Sequence, residues 1–282
     1  VKLNTIIKLL VGGTPVRNDI SELRENVPHI IVGTPGRVYD MLRSDAIDYG
    51  NIKLLILDEA DEILSSGFKE QIYNIFQYLN ETTQIGLFSA TLPVELETLT
   101  AKMLRDPVKI LVKKEQVTLE GIKQYYVGVE TDDDKFAMLQ DVFSVISMSQ
   151  CIIYCNSISR TDYLFNEMND NGHPVIRIHS GMSEIDRKES FNDFKAGKAR
   201  VLIATDLVAR GIDIQQVSYV INFDIPKNIH TYIHRIGRSG RWGRKGVGIN
   251  LLSRRDQSRL KDIETYYSTL IEEMPMNFAD NV

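Results

Sequence analysis

The sequence predicts a doubly wound α/β fold arranged in two domains. Short apolar runs alternate with amphipathic stretches along the 282 residues. Runs such as KLLILD (53–58) and CIIYC (151–155) are almost continuously apolar, which is typical of strands buried on both faces of a parallel sheet. The stretches FKEQIYNIFQYL (68–79) and EIDRKESFNDFK (184–195) have helical spacing. This β-α-β-α alternation favours parallel sheets covered by helices.

The predicted domain boundary is a polar, weakly periodic segment, LVKKEQVTLEG (111–121). We therefore expect a first domain at 1–112, a linker at 113–121 and a second domain at 122–282.

Composition excludes some classes of protein. The chain is 43% hydrophobic and 25% charged, which is ordinary for a globular protein. It has no apolar run near the ~18 residues of a membrane span and no secretory signal pattern. We expect an intracellular protein, cytoplasmic or nuclear, that is not secreted.

Charge is unevenly distributed. The formal net charge of -5 argues against a non-specific coat on nucleic acid. Eight of the residues from Arg235 to Arg259 are basic, however, and Asp256 is the only acid among them. Such a local positive surface is compatible with an RNA groove.

The two cysteines, Cys151 and Cys155, lie in one predicted strand. At ~3.3 Å per residue they would be about 13 Å apart, too far for a disulfide. We expect two buried, reduced thiols.

Polar residues follow several of the predicted strands. They include TPGR (34–37), DEAD (58–61), SAT (89–91), Asn156 and Thr205-Asp206. Ligands of open α/β sheets bind at the carboxyl ends of strands. Two sheets with such residues suggest a ligand held between two domains.

Asp58 and Glu59 end a strand in the Walker-B arrangement. A carboxylate there can hold Mg²⁺ while its neighbour orients a water molecule. The alternative is an ordinary acidic turn in which the aspartate caps a helix.

The segment HRIGRSGR (234–241) places Arg238 and Arg241 three residues apart. On one helical turn they would share a face, and guanidinium groups there can clamp phosphate oxygens. The alternative is a solvated basic helix, which the two glycines disfavour.

TPGR (34–37) reads as a helix start, with Thr34 as N-cap and Pro35 in the first turn. A helix N-terminus offers backbone N–H groups to phosphate. A plain cap is the alternative, and Gly12-Gly13 could be only a turn.

Taken together and in order, these segments resemble the motifs of the DEAD-box ATP-dependent RNA helicases. The matching segments are Gly12-Gly13, TPGR (34–37), DEAD (58–61), SAT (89–91), IIYCNS (152–157), ATDLVARGID (204–213) and HRIGRSGR (234–241). The likeness is greatest to the translation-initiation and exon-junction subfamily, through PHIIVGTPGRVYDML, TLEGIKQYYV and DIETYYSTLIEEMPMNFAD. It implies two RecA-like parallel-sheet domains, the first incomplete.

The resemblance also implies roles for individual residues. Asp58 would hold Mg²⁺ through water, Glu59 would orient the hydrolytic water, and Ser89 and Thr91 would couple ATP hydrolysis to strand separation. Gly211 and Asp213 would bind the nucleotide, Asp213 at the ribose, while Arg238 and Arg241 would reach the γ-phosphate when the domains close. The implied RNA contacts are Gly13, Thr34, Gly36, Arg37, Asn156, Gly181 and Thr205.

The resemblance implies partners as well. They are single-stranded or duplex RNA, bound largely without regard to sequence, and a scaffold protein built of helical repeats. We expect a monomer.

The sequence departs from the family at the phosphate loop, because no GxxxxGK(S/T) motif occurs in it. Without that loop the β- and γ-phosphates would lack their main ligands, so we expect this chain alone to be inactive. The loop-bearing strand is central in related sheets, so its absence would expose strand edges and apolar surface. We accordingly expect residues 1–112 to fold poorly alone and residues 122–282 to fold independently.

Two functions therefore stay open. One is an ATP-dependent RNA helicase of translation initiation or mRNA processing. The other is a truncated chain that binds RNA or a helicase partner without turnover.

Overall fold

A computed structural model describes residues 4–65, 67–111, 121–146, 150–208, 217–240, 245–275 and 278. The chain divides into two compact units, one ending at Lys109 and the other beginning at Ile110. The predicted linker at 113–121 lies outside the described residues except for Gly121, so those boundaries stay a prediction.

The first unit contains four strands, five α-helices and a short 3-10 helix at Tyr49–Asn51 among its described residues. In chain order, the strands and α-helices are β1 (Ile7–Leu10), α1 (Val16–Glu25), β2 (Ile30–Gly33), α2 (Pro35–Arg43), β3 (Leu54–Leu57), α3 (Ala60–Ser65), α4 (Lys69–Tyr78), β4 (Gln84–Leu87) and α5 (Val94–Met103). The strands form two separate parallel pairs, β1 with β2 and β3 with β4.

Only part of each strand surface in the first unit is covered. The buried cluster includes Leu10, Met41, Leu42, Ile72 and Leu96. Other apolar side chains of the strands are exposed, and these are Ile7, Leu9, Ile30, Val32, Leu54 and Ile56. The exposed apolar strand surface expected from the sequence is therefore present.

The second unit contains seven strands, five α-helices and a short 3-10 helix at Asp206–Val208 among its described residues. In chain order, the strands and α-helices are β5 (Ile122–Gly128), α6 (Lys135–Val145), β6 (Gln150–Tyr154), α7 (Ile158–Asp170), β7 (Val175–Ile178), α8 (Glu184–Lys195), β8 (Val201–Ala204), β9 (Val217–Asn222), α9 (Ile229–Ile236), β10 (Gly246–Leu252), α10 (Gln257–Tyr267) and β11 (Glu272–Glu273). All seven strands form one parallel sheet in the order β11-β5-β10-β9-β6-β8-β7.

This larger sheet is buried on both faces. Every residue of β6, β8 and β10 is buried, and two hydrophobic clusters divide the side chains between the faces of the sheet. The apolar runs and the two helical stretches predicted from sequence correspond to observed strands and to α4 and α8. The prediction of α/β architecture with parallel sheets is confirmed.

The two cysteines behave as predicted. Cys151 and Cys155 are buried and free. Burial raises the pKa of both thiols well above the ordinary value, so the reactive thiolate form is strongly disfavoured.

The length and composition of the helices bear on whether they could cross a membrane. Among the residues that the structure describes, none of the helices has both the length and the apolar composition needed to span a bilayer.

Candidate functional site

The DEAD segment forms a tight turn between β3 and α3. Asp58 follows the last residue of β3, its side chain is exposed, and its Oδ1 accepts a hydrogen bond from the Glu59 N–H at 2.9 Å. Glu59 has a φ of 51°, in the left-handed region that non-glycine residues seldom occupy. Such backbone strain is concentrated at functional sites, where the surrounding structure enforces it.

Contacts between DEAD and SAT join the ends of two neighbouring strands. The Asp61 N–H donates to Ser89 Oγ at 3.2 Å, and Thr91 Oγ1 donates to Asp61 Oδ2 at 2.6 Å. Asp61 and Thr91 are both buried. Because β3 and β4 pair in parallel, the two segments lie at the same edge of this sheet. A displacement of the DEAD turn would therefore be transmitted to SAT.

The double-glycine turn is held by Arg37. Gly13 has a φ of 85°, which glycine adopts without strain. The Arg37 guanidinium is buried and donates to Thr14 Oγ1 at 2.8 Å, to the Thr14 carbonyl at 2.7 Å and to the Asp19 carboxylate. Burial alone would raise the pKa of Asp19, but hydrogen bonds and charges from Lys8 and Arg37 outweigh it and lower the pKa. In this structure the Arg37 cation is committed to an internal ion pair.

The TPGR segment begins α2 as predicted, with Thr34 at the N-cap and Pro35 in the first turn. The Thr34 side chain makes no capping hydrogen bond, unlike the cap predicted from sequence. The side chain is exposed. Gly36 is not crowded, since an added Cβ would make only an ordinary van der Waals contact, at 3.9 Å from the Phe68 ring. The first turn of α2 is therefore accessible to a phosphate.

Three candidate RNA contacts of the second unit lie at one edge of its sheet. Asn156 follows β6, Thr205 follows β8, and Gly181 lies in the turn after β7. These strands are neighbours in the order β6-β8-β7 and run parallel. Their carboxyl ends therefore place the three residues along a common rim, as expected for a ligand site of this fold.

The Gly181 turn is organised by a histidine that the sequence left without a role. His179 is buried, and its Nδ1 accepts the Gly181 N–H at 3.2 Å. Its Nε2 lies 3.0 Å from Asp162 Oδ1 and donates to it when Nδ1 is the acceptor. Arg177 pairs with the same carboxylate at 2.9 Å.

The HRIGRSGR segment begins in a helix and leaves it. Helix α9 ends at Ile236 with Gly237 as C-cap, so Arg238 lies in the turn that follows. Arg238 is buried and its Nε donates to the His234 carbonyl at 3.1 Å. Arg238 therefore lies outside the helix, and its predicted placement beside Arg241 stays a prediction because Arg241 lies outside the described residues.

A second arginine of this segment, Arg235, was given no role of its own by the sequence analysis. Arg235 is completely buried, and its guanidinium contacts residues that follow three different strands. The sequence counted it only as part of a basic stretch. Its place in a helix of high amphipathicity, between the apolar Ile233 and Ile236, was the available signal.

Three predicted nucleotide-binding residues, Gly211, Asp213 and Arg241, lie outside the described residues.

The residues at the DEAD turn fit a magnesium-bound nucleotide. Among the residues described, no group of three or more His, Cys, Asp or Glu side chains could hold a metal ion. Mg²⁺, however, is commonly bound by one or two carboxylates together with substrate phosphates. The exposed Asp58 carboxylate at the end of a strand has the chemistry and position that such a role requires.

Comparisons with known proteins cover nearly the whole chain. The sequence model described as DEAD/DEAH box helicase matches residues 1–99, and that of the helicase conserved C-terminal domain matches residues 134–243.

Two curated relatives are each named ATP-dependent RNA helicase eIF4A. The chain is 50% identical to the protein from Meyerozyma guilliermondii over 99% of its own length and 70% of that protein. It is 50% identical to the one from Debaryomyces hansenii over 98% of its own length and 70% of that protein.

Solved structures give a matching result. S. cerevisiae Dbp5 bound to RNA and ADP BeF3 has a TM-score of 0.88 at 31% identity, covering 96% of this chain and 70% of that one. A DEAD box protein from Methanococcus jannaschii has a TM-score of 0.55 at 33% identity, covering 96% and 73%.

Proposed function

The chain belongs to the DEAD-box helicase family, and from this premise we propose that it is an ATP-dependent RNA helicase of translation initiation. Half of its residues are identical to helicases named eIF4A over almost its entire length, and this likeness carries the proposal. The activity is RNA-stimulated ATP hydrolysis coupled to local separation of RNA strands.

Hydrolysis depends on the DEAD turn. When ATP is bound with Mg²⁺, the metal neutralises phosphate charge. Asp58 would hold the metal, and Glu59, whose backbone is in the left-handed region, would orient the attacking water. Gly211 and Asp213 bind the nucleotide, and Arg238 and Arg241 stabilise charge on the transferred phosphate.

Coupling depends on Asp61. Its backbone bonds Ser89 and its carboxylate bonds Thr91, so the position of SAT follows that of the DEAD turn. We assign Ser89 and Thr91 to this linkage.

RNA is held mainly through its phosphates. In the first unit, Gly13, Thr34 and Gly36 provide an accessible turn and helix start, and Arg37 keeps them together through Thr14 and Asp19. In the second unit, Asn156, Gly181 and Thr205 share one rim. Contacts of this kind carry no base information, so binding is largely independent of sequence.

The likeness to eIF4A also suggests the setting. We propose an intracellular, cytoplasmic or nuclear monomer whose protein partner is a helical-repeat scaffold of translation initiation.

The test is ATP turnover by the 282-residue chain with and without single-stranded RNA. RNA-stimulated turnover that Glu59→Gln abolishes is the result that the helicase proposal requires, whereas the lack of a GxxxxGK(S/T) motif predicts that this chain alone shows none. Glu70→Gln, the same change at an exposed glutamate of the first unit, should leave turnover unaltered.

RNA binding without turnover would contradict the helicase proposal for this chain. That result would support the alternative of a chain that binds RNA or a partner without hydrolysis, and the inactivity expected from the lack of a GxxxxGK(S/T) motif. Fluorescence anisotropy with a labelled single-stranded RNA measures the binding in the same samples.

A further inference from the structure

We propose that Arg235 is a positioning residue that sets the RNA-binding rim of the second unit and ties it to the turn carrying Arg238. The inference rests on the proposed function and extends it to a residue without an assigned role. Arg235 reaches the RNA only through the residues that it holds.

The Arg235 guanidinium uses all five of its N–H donors. Nε donates to Asp206 Oδ1 at 2.5 Å, and Nη2 donates to Asp206 Oδ2 at 3.0 Å and to Asn156 Oδ1 at 2.8 Å. Nη1 donates to Asn222 Oδ1 at 3.1 Å and to the Asp224 carbonyl at 2.7 Å. The guanidinium therefore binds four residues at once.

The four partners lie at the carboxyl ends of three adjacent strands. Asn156 follows β6, Asp206 follows β8, and Asn222 and Asp224 lie at the end of β9. A single planar group thus fixes the spacing of three strand ends.

Burial makes the arrangement rigid. The Arg235 side chain has no exposed surface, and its guanidinium carbon lies 5.1 Å from the centre of the Tyr154 ring. Hydrogen bonds and ion pairs are stronger in such surroundings than in water, and an unpaired charge there is costly. Displacing Asn156 or Asp206 would therefore leave the buried cation under-bonded.

Asn156 shows what the positioning achieves. Its Oδ1 accepts a hydrogen bond from Arg235, and its Nδ2 donates one to the Ile225 carbonyl at 2.8 Å. Its backbone N–H donates to Asp224 Oδ2 at 3.0 Å. The amide group is thus held in one orientation, with its second Nδ2 hydrogen left for a phosphate oxygen.

Asp206 links the same group to Thr205. The two residues are adjacent, so the bidentate pair with Arg235 fixes the loop that carries the Thr205 contact. Because Arg235 lies in the last turn of α9, the same pair also anchors the helix end from which the Arg238 turn departs.

Arg235→Lys tests the geometry while retaining the charge. A lysine ammonium has three donors at one point and cannot bridge partners on three strand ends. We expect single-stranded RNA to bind the full chain about tenfold more weakly, measured by anisotropy under conditions in which circular dichroism shows each variant to be folded.

A mutant cycle with Asn156→Ala separates positioning from general destabilisation. If Arg235 acts through Asn156, the double variant should bind RNA about as weakly as the weaker single variant, because the two changes remove one interaction. Losses that multiply would overturn the proposal.

Arg160→Lys is the matched control. Arg160 also bonds Asp224, through the carboxylate at 3.2 Å, and pairs with Asp132. Within the described part of the chain it makes no hydrogen bond to the Asn156 or Asp206 side chain. We expect its effect on RNA affinity to stay within about twofold, because Arg160 holds the other oxygen of Asp224 and leaves the Asn156 amide bonded to Arg235.

Asp206→Asn provides the test if Arg235→Lys does not fold. Asp206 is partly exposed, and the amide keeps its size but loses the ionic pair, so a weakening of about threefold is expected. RNA affinity unchanged in both Arg235→Lys and Asp206→Asn would overturn the inference alone. Failure of the unsubstituted chain to bind RNA would overturn the proposed function and the inference with it.

Discussion

Strands of the two units have similar sequences but very different surroundings. In β6 of the second unit, Ile152, Ile153 and Tyr154 have no exposed surface. In β3 of the first unit, Leu54 and Ile56 are 51% and 54% exposed. β6 has a paired strand on each side, whereas β3 pairs with β4 alone among the described residues. Burial of an apolar strand is thus decided by its neighbours rather than by its own composition.

The polar sites differ in the same way. The second unit holds its rim through a completely buried guanidinium inside a continuous sheet. The first unit joins segments in pairs, Asp61 to SAT and Arg37 to the glycine turn. The buried guanidinium of the second unit therefore fixes several strand ends together. In the first unit, each strand pair is fixed separately.

Of the differences predicted between the two units, the largest should be in the protection of backbone amides from hydrogen exchange. We expect amides of β6, β8 and β9 to exchange at least about 100-fold more slowly than those of β1 to β4, because central strands open only with the whole unit. Hydrogen exchange with mass spectrometry on the full chain measures this.

Limited proteolysis provides the control for this comparison. A resistant fragment that begins near residue 121 would agree with independent folding of the second unit. A resistant species of all 282 residues, or equal exchange in both units, would contradict it.

A matched pair of substitutions tests the same difference at single residues. Ile153→Ala should destabilise the second unit by about 2–5 kcal/mol, because it leaves a cavity in a core. Ile56→Ala should change the stability of the first unit by about 0.5 kcal/mol or less, because half of the side chain is already exposed. Urea titrations followed by hydrogen exchange in each unit measure both effects. Equal costs would mean that the β3 face is covered in solution.

The ion pair between Asp256 and Lys135 should have a smaller effect, seen as a loss of stability of the second unit at acid pH. Burial alone would raise the pKa of Asp256, but the Lys135 ammonium at 2.8 Å and the Ser253 hydrogen bonds outweigh it and lower the pKa. A carboxyl with a lowered pKa contributes stability above its ordinary value of 3.8, and that stability is lost as the pH falls through the folded-state pKa.

Asp256→Asn should therefore flatten the pH dependence of unfolding of the second unit below about pH 4. Thermal unfolding between neutral pH and pH 2 measures the slope. A slope equal to that of the unsubstituted chain would show that the pair does not contribute.

Local patterns were sufficient to predict several of the elements, including most of the strands. The continuous apolar runs predicted β6 and β8, because a strand buried on both faces has apolar residues at successive positions. Helical periodicity predicted α4 and α8, because a helix buried on one face has apolar residues three or four positions apart. The polar residues after β3 and β4 were likewise predicted to lie at the carboxyl ends of strands, but their direct contact was not predicted.

Long-range geometry was beyond the sequence. Arg235 contacts Asn156 across 79 positions of the chain, and Arg37 contacts Asp19 across 18. Such pairs depend on which strands become neighbours, and a basic residue gives no sign in isolation of whether its charge is solvated or buried. The φ of Glu59 is likewise imposed by its place in the turn between β3 and α3 rather than by a preference of glutamate.

The burial of both thiols gives the second unit a chemical reporter of its own. The chain has two cysteines, Cys151 and Cys155, and both lie in this unit. Burial keeps them protonated and shielded, so a thiol-reactive dye would modify them only when this sheet opens. The rate of labelling would then time that opening without interference from the first unit.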